Sequence, residues 1–386
     1  MSFKFPLATS SWDQDEQDAI QRVIASDMYS MGPEVAKFEQ QFAAIMGSKH
    51  AVMCNSGSSA NLLMVAALCY TRETPLQRGD EVIVPAVSWS TTYAPLHQYG
   101  LHLKFVDIDP HTLNYDLDQL ATAISDKTRL IMVVNLLGNP NDFDAIDKII
   151  GDRDIPVIED NCESMGATLN GKQAGTFGIM GSYSAFFSHH ISTMEGGLVV
   201  TNNTELYHLM LSLRAHGWTR NLPKENLVTG TKSDDPFEES FRFVLPGYNL
   251  RPLEMSGAIG QAQLAKLPDL IDGRRRNGAL FQSALGNHPD LRIQRETGNS
   301  SWFGFSLVIK PESKLNRRIL VDQLNAKGFE CRPIVSGNFA KNEVLKHFDH
   351  SIHGALENAE YIDQNGLFIG NHHYPIEEAI EALREL

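Results

Sequence analysis

Two histidines stand side by side in the stretch SAFFSHHISTMEGG, which runs from Ser184 to Gly197. Their neighbours are small or apolar, so His189 and His190 are either satisfied core imidazoles or groups placed to act. An imidazole titrates near neutrality and can take up and return a proton at a held ligand. Three other stretches carry residues of the kind that hold ligands. In NSGSSAN, Gly57 and Ser58 sit between an apolar strand and a helix, where free backbone N–H groups and a hydroxyl attract phosphate; an ordinary helix cap reads the same way. In VIEDNCE an apolar run ends in Glu159 and Asp160. One carboxylate there can pair with a protonated ring nitrogen of a cofactor, although a solvated strand end is the plainer reading. Trp89, in PAVSWSTT, offers a flat face either to a planar ligand or to the core.

The elements that must position these residues are legible as an alternation. HAVMCN, DEVIVPAV, LHLKFVDI, RLIMVVNLLG and IPVIED are short runs separated by helical patterns, and several are apolar almost throughout, as strands covered on both faces are. Such alternation predicts a mostly parallel sheet with helices on each side. The polar turns NSGSS, PAVSWST and EDNCES follow the carboxyl ends of strands, the edge at which open α/β sheets bind ligands. After Gly247 the pattern changes to a long helix-compatible stretch beginning PLEMSGAIG, then WFGFSLVIK, RRILVDQLNAKG and PIEEAIEALREL, which reads as a smaller α+β domain hung on a connecting helix.

Composition narrows the possibilities. The 386 residues carry a formal charge of −14, which argues against nucleic acid or an anionic membrane surface as partner, since both need clustered Lys and Arg. No run is long and apolar enough for a signal peptide or a membrane span, and a cytoplasmic protein is expected. Cys54, Cys69, Cys162 and Cys331 are widely separated; that suits free thiols and fits neither zinc nor iron–sulfur spacing, so no metal is expected.

Taken together, MGPEVAKFEQQFAAIMGSKHAVMCNSGSSAN, DEVIVPAVSWSTTYAPLHQYG, LKFVDIDPHTLNYD, VIEDNCESMGA, SAFFSHHISTMEGGLVVT and GYNLRPLEMSGAIGQAQL resemble the nucleotide-sugar aminotransferases, the sugar-modifying branch of the fold-type I pyridoxal 5′-phosphate (PLP) enzymes. The pieces occur in family order over most of the chain. The resemblance implies an aspartate-aminotransferase-like α/β fold: a mostly parallel, mixed, seven-stranded sheet flanked by helices in a PLP-binding domain (1–250), and a small C-terminal α+β domain (251–386). It puts Gly57, Ser58 and Ser184 at the cofactor phosphate, Trp89 on the pyridine ring and Asp160 at the pyridinium nitrogen. Glu163 falls where the family has Gln or His near the ring hydroxyl. Asn249 matches a residue that reaches the cofactor phosphate of the neighbouring subunit, which implies an obligate homodimer with shared sites.

One position departs from the family. Counting from Ser184, His189 occupies the place of the lysine that forms the Schiff base with PLP, and imidazole has no primary amine with which to do so. It can still move protons. The chemistry that suits such a site begins from the amine form of the cofactor, pyridoxamine 5′-phosphate (PMP), and removes the C3 hydroxyl of a 4-keto sugar. Two types of 3-dehydratase in this family carry a histidine here, and the scattered cysteines speak against the type that uses an iron–sulfur cluster. SHHISTMEGG, RAHGWTRNLP, FVLPGYNLRPLEMSGAIG and ECRPIVSGNF resemble the cluster-free type, which implies GDP-4-keto-6-deoxy-D-mannose as substrate, with L-glutamate restoring PMP and 2-oxoglutarate and ammonia released. Arg220 and Arg332 are candidates for phosphate or carboxylate groups of these substrates, since a guanidinium fork suits both; surface ion pairs would look the same. The alternatives are a sugar 4-aminotransferase served by another lysine and a catalytically dead relative that binds without turnover. An inactive protein would have no reason to keep the whole cofactor cradle.

Overall fold

The computed structural model describes residues 3–386. The apolar runs become strands: β1 (His50–Cys54), β2 (Glu81–Pro85), β3 (His102–Val106), β4 (Thr128–Val134), β5 (Val157–Asp160), β6 (Met180–Ser184) and β7 (Gly197–Thr201). β2, β6 and β7 are buried at every position, because helices cover both faces of the sheet and water reaches neither. The strand order is β1-β7-β6-β5-β4-β2-β3. β7 runs antiparallel to both β1 and β6, and the other neighbours are parallel. Two reversals cancel, so the carboxyl end of β1 returns to the same edge as those of β2, β4, β5 and β6. An eighth strand, His350–Ile352, pairs in parallel with the far side of β3. The sequence reading expected seven strands; this three-residue edge strand has no apolar pattern of its own and joins through backbone hydrogen bonds.

Helix α1 (Gln14–Ser26) opens with a capping box of Asp13 and Glu16, helix α2 (Pro33–Met46) follows, and α3 (Gly57–Cys69) is buried along most of its length. α4 (Ser90–Gln98) starts directly after Trp89. A 32-residue helix, Glu254–Leu285, spans the molecule. Its glycines let α2 come close: a Cβ at Gly260 would lie 2.7 Å from the Phe38 ring, and one at Gly257 would lie 2.6 Å from the Val35 backbone. Beyond this helix a second, antiparallel sheet forms from Leu291–Ile293, Gly304–Ile309, Cys331–Arg332 and Gly366–Gly370. Its own core gathers Phe281, Trp302, Phe305, Leu320 and Ile380, and Phe5 from the start of the chain packs on Phe329 with ring centroids 4.6 Å apart. No helix of the described residues is long and apolar enough to cross a membrane.

Candidate active site

The carboxyl ends of β1, β2, β4, β5 and β6 surround a cavity of about 370 Å3. One corner of it is made where three segments meet. The β1–α3 turn ends in Ser56, whose hydroxyl caps α3 by accepting the Ser59 N–H at 3.1 Å, leaving the first turn of the helix with backbone donors that have no intrahelical partner. Ser58 Oγ lies 2.8 Å from Thr91 Oγ1, tying α3 to α4. Gly57 is bare because there is no room for more. A Cβ there would stand 2.7 Å from Ser184 Cβ and 2.9 Å from Cys162 Sγ. The turn, the end of β6 and the end of β5 therefore close on one another, with Ser184 almost wholly buried beside them.

The adjacent acids separate as strand alternation requires. Glu159 points away from the cavity and accepts the N–H groups of Gly175 (2.6 Å), Phe177 (2.6 Å) and Gly178 (2.7 Å); burial pushes its pKa up despite these donors. It holds a turn. Asp160 faces the cavity. Its Oδ2 accepts from Asn61 Nδ2 at 2.8 Å and from Thr92 Oγ1 at 2.7 Å, and its Oδ1 accepts from the Cys162 N–H at 3.2 Å. Trp89 stands at the mouth with 59% of its surface exposed, a large aromatic face that the protein itself does not cover.

Glu163 also lines the cavity and accepts the Leu137 N–H at 3.0 Å. Burial pushes its carboxyl up to about 7, and the nearby Asp160 charge adds to this, so the group straddles neutrality. His189 lines the cavity as well. Its Nδ1 is buried without a hydrogen-bond partner, which leaves Nε2 as the ring nitrogen toward the cavity. Burial first, and the Arg274 guanidinium second, hold its pKa down to about 4, so the imidazole is the free base at neutral pH. His190 turns into the core instead, with Nε2 3.2 Å from the Ser301 carbonyl; it is the structural member of the pair. None of the residues lining the cavity is a lysine.

Gly57, Ser58, Trp89, Asp160, Glu163, Ser184 and His189 are thus brought together, and the other three candidates lie elsewhere. Asn249 is exposed and outside the cavity, bonded through Oδ1 to Arg251 Nε at 3.0 Å. Arg220 lines a separate surface hollow with Lys224 and Lys232. Arg332 pairs with Glu330 at 2.9 Å on the second sheet. Two polar residues of the site escaped the sequence reading: Asn61 and Thr92, the buried donors to Asp160. A signal existed for Asn61, which follows Gly57 by four residues and so shares its helix face in an otherwise apolar run.

The cavity fits the expected cofactor on its own geometry. A glycine cradle with no space for a side chain, a buried carboxylate oriented by three donors and an uncovered aromatic face surround a volume of the size small cofactors occupy. Comparison with known proteins agrees. The chain is 62% identical over 380 residues to GDP-4-keto-6-deoxy-D-mannose 3-dehydratase from Yersinia pseudotuberculosis, covering 98% of this chain and 97% of that protein. The Escherichia coli GDP-4-keto-6-deoxy-D-mannose-3-dehydratase with bound hydrated PLP matches with a TM-score of 0.99 and 61% identity, covering 100% of this chain and 99% of that one. A GDP-4-keto-6-deoxymannose-3-dehydratase with a trapped PLP-glutamate geminal diamine matches with a TM-score of 0.98 and 61% identity over 99% of each chain. The model of the DegT/DnrJ/EryC1/StrS aminotransferase family matches residues 10–383, and the chain belongs to that family.

Proposed function

We propose that this protein is a PLP/PMP-dependent GDP-4-keto-6-deoxy-D-mannose 3-dehydratase. The observation that carries the reading is His189: an imidazole at the wall of the cavity that Gly57, Ser58, Trp89, Asp160 and Ser184 also line, with no lysine among the residues of that lining. The net reaction balances with glutamate as reductant. Glutamate is oxidised to 2-oxoglutarate and ammonia, its two electrons reduce C3 of the sugar, and the C3 oxygen leaves as water, giving GDP-4-keto-3,6-dideoxy-D-mannose.

The bound cofactor, in its amine form, supplies the nitrogen that condenses with the C4 ketone and the conjugated ring that carries electrons toward C3. The protein's own residues do the rest. The α3 amino terminus with Gly57, Ser58 and Ser184 holds the phosphate. Trp89 would stack on the ring. Asp160, oriented by Asn61, Thr92 and the Cys162 N–H, would keep a proton on the ring nitrogen. Glu163 would serve the ring hydroxyl, where a carboxyl that titrates near neutrality can donate or accept. His189 removes a proton from the cofactor's methylene carbon, and the resulting imidazolium delivers it to the departing C3 oxygen.

A homodimer is part of the proposal. Asn249 reaches no part of its own cavity, and Phe237, Phe241 and Phe243 on the preceding segment are 86%, 74% and 56% exposed, an apolar surface of the sort that a second copy would cover. The test is to incubate the protein with PLP, excess glutamate and GDP-4-keto-6-deoxy-D-mannose. A sugar one oxygen lighter, with 2-oxoglutarate and ammonia in equal amounts, is expected; a 4-amino sugar without ammonia would overturn the assignment.

A further inference from the structure

The guanidinium of Arg274 is buried in the long helix with its residue only 7% exposed. Among the described residues no acid pairs with it; its contacts are to carbonyls. Its Nη1 donates to the Phe303 carbonyl at 3.1 Å and to the Asn371 carbonyl at 2.8 Å, and its Nε has no partner. Asn371 returns two bonds, to the Arg274 carbonyl at 3.1 Å and the Trp302 carbonyl at 2.8 Å, so helix, second sheet and the 302–303 turn are locked together. Burying a cation with dipoles alone for company is costly, and an apolar side chain would fill the same space. What the position gains is its neighbour. The ring of Phe303, whose backbone Arg274 holds, lies 5.1 Å from the His189 ring and 5.7 Å from that of His190.

We propose that Arg274 is a positioning residue for His189: its guanidinium fixes Phe303 against the imidazole, and its buried charge, added to burial, disfavours a second cation on that ring. The inference rests on the reading of His189 as the proton carrier. Protonated His189 would need an acceptor for its buried Nδ1, which has none among the described residues, and would face the buried Arg274 cation. The other ionisable groups around it are His190 on the same loop, Asp160, Cys162, Glu163 and Glu195 on the cavity wall, and Arg275, His372 and His373 beside Arg274. The three other histidines are themselves held neutral by burial first and by Arg274 second, so they add no charge of their own at neutral pH. Burial is the larger cause of the lowered His189 value of about 4, and the Arg274 charge adds to it.

The experiment is a histidine-labelled NMR titration of the cofactor-loaded protein, with the His189 signal assigned from its loss in His189→Asn, in wild type, Arg274→Met and Arg274→Lys. In Arg274→Met the His189 midpoint is expected about one pH unit higher, with the acidic limb of kcat/KM moving up with it, a shift that a merely structural role would not produce. In Arg274→Lys, which keeps the charge and donors for the carbonyls, the midpoint is expected to stay within about half a unit of wild type. A folded Arg274→Met with an unmoved His189 midpoint would overturn the proposal. If that variant does not fold, a folded Arg274→Lys whose His189 titrates like an ordinary histidine does the same. The titration is independent of turnover: a wild type that fails to deoxygenate the sugar, while His189 responds to Arg274 as described, refutes the functional reading alone.

Discussion

Replacing Asp160 with asparagine changes one atom and leaves the site no satisfactory arrangement. Both carboxylate oxygens of Asp160 accept: Oδ2 from Asn61 Nδ2 and Thr92 Oγ1, Oδ1 from the Cys162 N–H. If the new NH2 takes the Oδ2 place it meets the Asn61 amide, and Asn61 cannot flip without surrendering the 2.6 Å bond that its Oδ1 accepts from Ser182. If it takes the Oδ1 place it meets the Cys162 N–H. One buried donor is unsatisfied either way, which costs about 1–3 kcal/mol of stability in the cofactor-free protein. Loss of the negative charge opposite the ring nitrogen costs the cofactor complex more, about 2–5 kcal/mol by analogy with other buried charge pairs, or roughly 30- to several-thousand-fold in PLP affinity. Urea unfolding of the cofactor-free protein reads the first number and fluorescence titration with PLP reads the second. A stable Asp160→Asn variant that binds PLP within about threefold of wild type would refute the account of what Asp160 does.

Three further outcomes are expected. His189→Lys restores a primary amine to the cavity wall, so the cofactor becomes covalently attached, detectable by mass after borohydride reduction, and deoxygenation stops; retention of the native rate would mean that imidazole is not needed. Glu163→Gln mimics the protonated acid and keeps an acceptor for the Leu137 N–H. The wild-type carboxyl, raised to about 7 from an ordinary 4.5, binds more protons folded than unfolded between those values, so it lowers stability as pH rises through that window. The glutamine variant should therefore gain on wild type between pH 5 and pH 8, by at most about 3 kcal/mol; parallel stability curves would contradict the shift. Gly57→Ala must push Cys162 and Ser184 away from the turn, with an overpacking cost of about 1–3 kcal/mol and a loss of PLP affinity. A variant with unchanged melting and affinity would show that the three segments do not meet as described.

How far the sequence carries depends on whether a residue's role is local. β2 and β4 were legible because a strand covered on both faces is apolar along its length, and the polar turns after them marked the binding edge. The missing lysine was legible by counting from Ser184. The resemblance singled out Asp160 rather than Glu159; the physical reason, strand alternation together with the turn at Gly175–Gly178 that captures Glu159, shows only in the fold. The edge strand His350–Ile352 was invisible because pairing through backbone leaves no side-chain pattern. Arg274 sits in the run GRRRN, which reads as a solvated helix face; only the close approach of the His373 backbone to Gly273 and the lock with Asn371 show that this face is covered. Asn249 and Arg220 lie on surfaces away from the cavity, and no pattern within one chain displays what such a surface faces.

The central claim is that His189 carries the proton on which loss of the C3 hydroxyl depends. The direct measurement is a single turnover without glutamate, in which wild type and His189→Asn, each loaded with PMP, are mixed with GDP-4-keto-6-deoxy-D-mannose and the sugar is weighed by mass spectrometry. The account predicts that wild type releases a sugar one oxygen lighter and that His189→Asn binds the sugar with comparable affinity but leaves its C3 oxygen in place. Deoxygenation by the asparagine variant at the wild-type rate would contradict it.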